Sequence, residues 1–145
     1  MTVTVRELRP DDRDRLRRIQ RTVLSEPSPP VLDAALDGPL FGLVAEDSGT
    51  AVGYLLVVIG ETRAYVPELA VAAAAQRQGH GSALVTTAID RLRDRGVGTV
   101  RVTTRADDPI ARDFYEHLGF ETVERVPDHY EEGDGIVYEY RIDDG

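Results

Sequence analysis

The chain contains no cysteine and no lysine. The first absence excludes a disulfide scaffold, a thiolate zinc site and a cysteine nucleophile. The second makes every one of the 17 basic residues an arginine. Long apolar runs are missing too: no stretch approaches the roughly 18 consecutive apolar residues of a membrane helix. The opening Met1-Thr2-Val3-Thr4-Val5 has neither the basic nor the apolar region of a secretory signal. A cytoplasmic location with no membrane partner is therefore expected. Against the arginines stand 26 acidic residues, for a formal net charge of −9. Such a chain disfavours phosphate-backbone binding, so no nucleic-acid partner is expected, and it favours cationic partners. An acidic, lysine-free surface also suits work in high salt, where screening removes self-repulsion, so the composition reads as halophilic adaptation. What is present is 145 residues, 41% of them hydrophobic, enough for a single domain spanning 1–145 around one core.

Val3–Leu8 alternates apolar and polar residues as a half-buried strand does. Pro10-Asp11-Asp12 starts a helix with Leu16, Ile19 and Val23 at helical spacing and arginines on the opposite face. Glu26-Pro27-Ser28-Pro29-Pro30 ends it in a stiff loop, and a short helical piece at Val31–Leu36 stops at Gly38-Pro39. Leu40–Glu46 and Ala51–Ile59, joined by Asp47-Ser48-Gly49-Thr50, read as an antiparallel hairpin. Tyr65–Val71 is a fourth strand, Gly79–Arg95 a helix with Leu84, Val85, Ala88, Ile89 and Leu92 in one stripe, and Val97–Thr104 a fifth strand. Asp108-Pro109 supplies a carboxylate cap and a proline for a helix running to about Leu118. Phe120–Val126 and Ile136–Ile142 close the chain as strands, giving the order β-α-α-β-β-β-α-β-α-β-β.

The segment from Leu69 to Ser82 carries the first chemical signal. A strand runs into a turn with Gly79 and Gly81, and the turn opens a helix. Helix N-termini carry unpaired N–H groups and partial positive charge, and they bind phosphates. Two common phosphate loops do not fit. A P-loop needs a lysine, and a dinucleotide fingerprint needs a third glycine where Leu84 stands. A nucleotide-binding domain is thereby disfavoured. What remains is Gln76-x-x-Gly79-x-Gly81, followed downstream by Asp108-Pro109-Ile110-Ala111-Arg112-Asp113-Phe114-Tyr115-Glu116-His117-Leu118-Gly119-Phe120.

These two segments resemble the paired signatures of the GNAT superfamily of acetyl-CoA-dependent N-acetyltransferases, R/Q-x-x-G-x-G/A and N-x-x-A-x-x-[FL]-Y-x-x-x-G-F. Matching Ala111, Tyr115, Gly119 and Phe120 together by accident is of order one in a hundred thousand per start position. The resemblance runs from about residue 40 to the end. It implies an α/β (α+β) GNAT fold: a mixed sheet of about seven strands, splayed between strands 4 and 5, with about four helices. Acetyl-CoA is the implied co-substrate, and no metal is implied. Main-chain groups of Leu69, Ala70 and Val71 would hold the pantetheine arm, with the Val71 N–H on the thioester carbonyl. Gln76 and the main chain of Arg77, Gln78, Gly79, His80, Gly81 and Ser82 would form the pyrophosphate turn, with Arg77 adding charge. Tyr115 would protonate the departing thiolate.

The tail from Val126 to Val137 resembles a stretch of protein Nα-acetyltransferases, including the ribosomal-protein alanine type, in which a tyrosine matching Tyr130 helps bind the peptide N-terminus. An amine, on a protein N-terminus or a small molecule, is the implied acceptor, and a homodimer is common for the fold. Two positions depart from that pattern. Thr103 stands where those enzymes carry a Glu or His base, and Asp108 replaces an asparagine. Threonine is no base at neutral pH, so Glu68, acting through a water, is the first candidate, with a water relay alone as the other route. Asp108 is expected to cap its helix beside the cofactor. His80 is expected to matter through its backbone. His117 reads as an exposed helix residue, and His129 as part of the loop before the last strand. The three histidines show no metal spacing. The departure at Thr103 leaves open a second class, an acyl-CoA-binding regulatory module without catalysis.

Overall fold

The computed structural model describes residues 3–24, 27–38, 40–131 and 133–142. Glu26 and Pro39, read above as loop, and Glu132, within the tail segment from Val126 to Val137, fall outside the described residues. The elements are β1 (Val3–Glu7), a 3-10 turn (Pro10–Asp12), α1 (Arg13–Val23), α2 (Pro29–Asp37), β2 (Phe41–Asp47), β3 (Thr50–Ile59), β4 (Arg63–Val71), a second 3-10 turn (Ala73–Ala75), α3 (His80–Asp94), β5 (Thr99–Arg105), α4 (Pro109–His117), β6 (Glu121–Tyr130) and β7 (Gly133–Arg141). The element order matches the sequence reading. The largest difference lies at the end. Asp128 adopts φ 53°, and a register shift lies between Val126 and Tyr130, so the Pro-Asp pair makes a bulge inside β6 and not a turn. His129 is thus a residue of β6, where the sequence reading placed it in a loop.

The seven strands form one mixed sheet in the order β1-β2-β3-β4-β5-β7-β6, in which β4 and β5 run parallel and every other pair antiparallel. β3 is central and covered on both faces, so Ala51–Val57 is a nearly unbroken buried apolar run except for Gly53. Helices α1 and α2 bury Leu16, Ile19, Leu32 and Leu36 against Val44, Tyr54, Leu56 and Ala70 on one face. Helix α3 buries Leu84, Val85, Ala88, Ile89 and Leu92 against Leu43, Leu55, Val57, Val66 and Val100 on the other. Tyr115 of α4 and Phe120 join that second core. At about 25 cal/mol per Å2, this two-sided burial of apolar side chains is the main force holding the layers together.

Charge pairs tie the helical layer to itself and to the sheet edge. Arg13 of α1 bonds Asp33 and Asp37 of α2. Asp12 is buried, accepting both forks of the Arg6 guanidinium at 2.8 and 2.9 Å and the Arg9 N–H at 2.8 Å. Among the described residues no helix is long and apolar enough to cross a membrane.

One irregularity positions the site. In the β3–β4 ladder, Leu56 pairs with Glu68 but Val58 pairs with Tyr65, so β4 carries one extra residue, and Val66 and Pro67 together oppose Val57. Proline cannot donate to a ladder and sits comfortably at such a bulge. The bulge reverses which face the side chains meet. Val66 belongs to the α3-side core, whereas Glu68 and Ala70 turn toward α1 and α2. The parallel ladder between β4 and β5 ends at the Val66–Val102 pair.

Candidate active site

Beyond Val66 and Val102 the two strands part. β5 continues only against β7, through Thr103–Val137, Thr104–Ile136 and Arg105–Gly135. β4 continues only against β3, through Glu68–Leu56, Leu69–Leu55, Ala70–Tyr54 and Val71–Gly53. The β5-facing edge of Leu69, Ala70 and Val71 is therefore free of strand partners, as an extended ligand running alongside would require. The gap opens as a hollow of about 220 Å3 bordered by Val66–Leu69 of β4, Val102–Arg105 of β5, Asp108, Ala111 and Tyr115 of α4, Leu24 after α1, and Tyr130 at the end of β6.

One end of the gap meets α3. Gly79 precedes the helix at φ 87°, in the left-handed region that favours glycine, and offers no side-chain cap. The first backbone bond of the helix is Ala83 N–H to Gly79 O at 3.0 Å, so the N–H groups of His80, Gly81 and Ser82 precede it, uncapped by any side chain there. Arg77 also has positive φ, at 66°, and residues 76–79 are exposed. Gln76 turns its amide back onto the strand, donating to Val71 O at 2.9 Å, and Gln78 makes a longer bond of 3.4 Å to Ala74 O. A Cβ on Gly81 would stand 3.2 Å from the Phe114 ring, so the glycine lets α3 and α4 approach closely. His80 differs from the rest of the turn. Its side chain is buried at 1% exposure, neither ring nitrogen has a hydrogen-bond partner, and Asp47 Oδ2 lies 3.8 Å from Nε2.

Tyr115 lies where the gap meets α4. It is buried in an aromatic cluster, edge-on to Phe114 at 4.9 Å and Phe120 at 5.3 Å, and stacked on Tyr138 at 6.2 Å. Burial, then the Asp108 carboxylate, then Tyr130 push its hydroxyl pKa upward, so the phenol stays protonated. Asp108 caps α4 as its sequence context predicts, accepting the Ala111 N–H at 3.0 Å. Tyr130 reaches across from β6 with a long bond of 3.5 Å to the Thr103 carbonyl, and the Arg105 guanidinium sits 5.1 Å over its ring. Arg105 is itself held by Asp107 at 3.0 Å.

Glu68 is no surface carboxylate: it is only 6% exposed. Its Oε1 accepts Gln20 Nε2 at 2.8 Å and the Tyr54 hydroxyl at 2.9 Å, and its Oε2 accepts the Ser28 N–H at 2.7 Å. Burial, then the Glu68 charge and its hydrogen bond, push the Tyr54 hydroxyl up, so it stays a donor. The structure thus brings Tyr115, Glu68, Leu69, Asp108 and Tyr130 around one hollow, with Gln76–Ser82 at the adjoining end of α3. His117 and His129 are exposed and lie outside that lining. Among the described residues, no three His, Cys, Asp or Glu side chains are grouped to hold a metal ion. Gln20, Tyr54 and Pro67 are the participants sequence reasoning passed over. The available signals were a polar residue inside an apolar helix stripe and a proline inside a strand.

Parted parallel strands, an open helix end beside them and a protonated phenol at their junction make up the geometry of the site. The sequence profile described as the Acetyltransferase (GNAT) family matches residues 5–120, and the chain belongs to that family and is an acyltransferase. It is 31% identical over 100 residues to N-alpha-acetyltransferase 30 of Schizosaccharomyces pombe, covering 66% of this chain and 67% of that protein. It is 35% identical over 95 residues to the [ribosomal protein bS18]-alanine N-acetyltransferase of Escherichia coli K12, covering 66% of this chain and 63% of that one, so the match spans less than two thirds of that relative. The crystal structure of the ribosomal-protein-S18-alanine N-acetyltransferase from Escherichia coli superposes with a TM-score of 0.89 at 25% identity, covering 99% of this chain and 96% of that one. Arabidopsis thaliana NAA60 in complex with acetyl-CoA shares the fold at a TM-score of 0.88 and 19% identity, covering 97% of this chain and 99% of that one.

Proposed function

We propose that the chain transfers an acetyl group from acetyl-CoA to a primary amine by direct attack in a ternary complex. The α-amino group of a protein N-terminus is the preferred acceptor class, and a small-molecule amine is the other. The carrying observation is the end of the β4–β5 ladder at Val66–Val102, with Tyr115 and Glu68 both bordering the gap. The names of the relatives support the protein N-terminus, since both are N-terminal or alanine N-acetyltransferases.

The residues present fit acetyl-CoA. The unpaired edge of Leu69–Val71 suits the amide-bearing pantetheine arm, and the uncapped N–H groups of 80–82 suit its diphosphate. The thioester supplies an activated acyl carbon and a thiolate leaving group. As the amine nitrogen bonds that carbon and the C–S bond breaks, Tyr115 gives its proton to the sulfur. The amine's own proton leaves through a water to Glu68, whose three donors occupy three of its roughly four lone-pair positions and leave one on Oε2. Thr103 lines the gap but carries no basic group, so the base comes from β4 and not from β5.

Free-thiol release over an amine panel, run beside calorimetry with acetyl-CoA, tests this reading. Turnover is expected, and Tyr115→Phe is expected to lower kcat about 10²-fold with little change in acetyl-CoA binding. Unchanged turnover in that variant removes Tyr115 from the chemistry. The threonine at the base position favours one second reading, a module that binds acyl-CoA without transferring it. Tight binding with no thiol release on any amine would establish that instead.

A further inference from the structure

Gln20 occupies the sheet-facing side of α1, one turn after Leu16, and is 2% exposed. Its amide nitrogen has two protons, and both are used: one goes to Glu68 Oε1 at 2.8 Å, the other to the Ser28 carbonyl at 3.0 Å. Ser28 directly precedes α2, and its N–H donates to Glu68 Oε2 at 2.7 Å. Ser28 is therefore gripped at both of its main-chain groups, by a side chain from α1 and a side chain from β4. Tyr54 of β3 adds the fourth donor contact, 2.9 Å to the same Oε1 that Gln20 holds.

A network of this kind is a poor device for stability alone. Burying a carboxylate is unfavourable unless donors replace the lost water, and apolar side chains of similar size would bind α1 to the sheet at least as well. Its position supplies a reason. Glu68 borders the hollow, and so does Leu24, which follows α1 at the start of the segment that ends in Ser28. The network thus ties Glu68, which borders the hollow, to Ser28 at the start of α2. The donor-side parts, the open end of α3 and its packing core, lie on the opposite face of the sheet.

We infer that Gln20 and Tyr54 are positioning residues for acyl transfer: they lock the Glu68 carboxylate and, with it, Ser28 at the start of α2, so that this part of the amine-side wall is set before an acceptor arrives. The inference rests on the acetyltransferase reading for its functional consequence, and its mechanical part stands without it. Neither residue lines the hollow. Their influence falls on the acceptor and spares acetyl-CoA.

The test uses the full chain and two near-isosteric variants, Gln20→Leu and Tyr54→Phe. Thiol release is measured while amine and acetyl-CoA are varied separately, and deuterium exchange is followed at the Ser28 and Val31 amides, since 27, 29 and 30 are prolines. Gln20→Leu is expected to raise the amine KM about tenfold, the effect of losing hydrogen bonds to a charged group, with the acetyl-CoA KM within about twofold. Tyr54→Phe, which leaves Ser28 held, is expected to have the smaller effect, about threefold. Exchange at Ser28 and Val31 is expected to speed up about tenfold in Gln20→Leu and little in Tyr54→Phe. A parallel rise of both KM values, the mark of a merely structural role, overturns the inference, and so does wild-type exchange at Ser28 and Val31 in Gln20→Leu. If the wild type turns over no amine, the acetyltransferase reading fails by itself, and the exchange result alone decides the locking of Ser28.

Discussion

Burial is the largest influence on the Tyr115 hydroxyl, followed by the Asp108 carboxylate and Tyr130, and all three act in the same direction. In the proposed role the protonated phenol is the form that donates, so activity is expected to persist until pH rises through its elevated pKa. The alkaline fall in kcat is accordingly expected above pH ~10, the ordinary tyrosine value, and kcat should be level from about pH 8 to there. A pH–rate profile with a falling limb near pH 8–9 that disappears in Tyr115→Phe would contradict the assignment. At this scale the sequence was partly readable. Asp108, Tyr115 and the glycines announce themselves through motif and cap chemistry. Glu68 was visible only as a strand carboxylate, because its burial depends on partners 48 and 40 residues away, at Gln20 and Ser28. The burial of the His80 ring was equally out of reach: it is enclosed beside Asp47, a residue of the β2–β3 hairpin.

Among the elements, the turn into α3 would bear an added methyl at a purely backbone cost. A Cβ at Gly79 would meet no atom within 4 Å, so the cost of Gly79→Ala is the backbone's own, for holding a non-glycine residue at φ 87°. That cost is about 1 kcal/mol. Denaturant unfolding should register it, and calorimetry should show acetyl-CoA binding weakened several-fold as the N–H groups of the first turn lose their alignment. Binding as tight as wild type would separate this turn from the diphosphate. Element positions were largely legible because hydrophobic spacing dictates them. Leu16, Ile19 and Val23 mark α1, and Leu84 to Leu92 mark α3. The β6–β7 hairpin was underestimated at its turn end because Pro127 and Asp128 carry turn chemistry that the chain spends on a bulge, with pairing resumed at Tyr130–Gly133. The parting of β4 from β5 came with the family resemblance, since side-chain spacing does not report where a ladder ends.

For the whole molecule, charge sets the remaining expectation. Surface ion pairs such as Arg93–Asp90 contribute little, roughly 0–1 kcal/mol each. The repulsion of a net −9 acts on every part of the surface at once. Screening should therefore stabilise more than it weakens. Raising NaCl from about 0.1 M to about 1 M shortens the screening length from ~10 Å to ~3 Å, and Tm measured by calorimetry should climb by several degrees. A falling Tm would show that the ion pairs outweigh the net repulsion.

The extra residue at Val66–Pro67 has a consequence for traffic through the molecule. Under the proposed reading, one ribbon of backbone would show its bare margin to the acyl carrier and, a single residue away, its flank to whatever receives the acyl group. On that reading the two reactants would approach from opposite sides of the sheet and meet at its tear, so that neither would have to vacate the other's path before leaving.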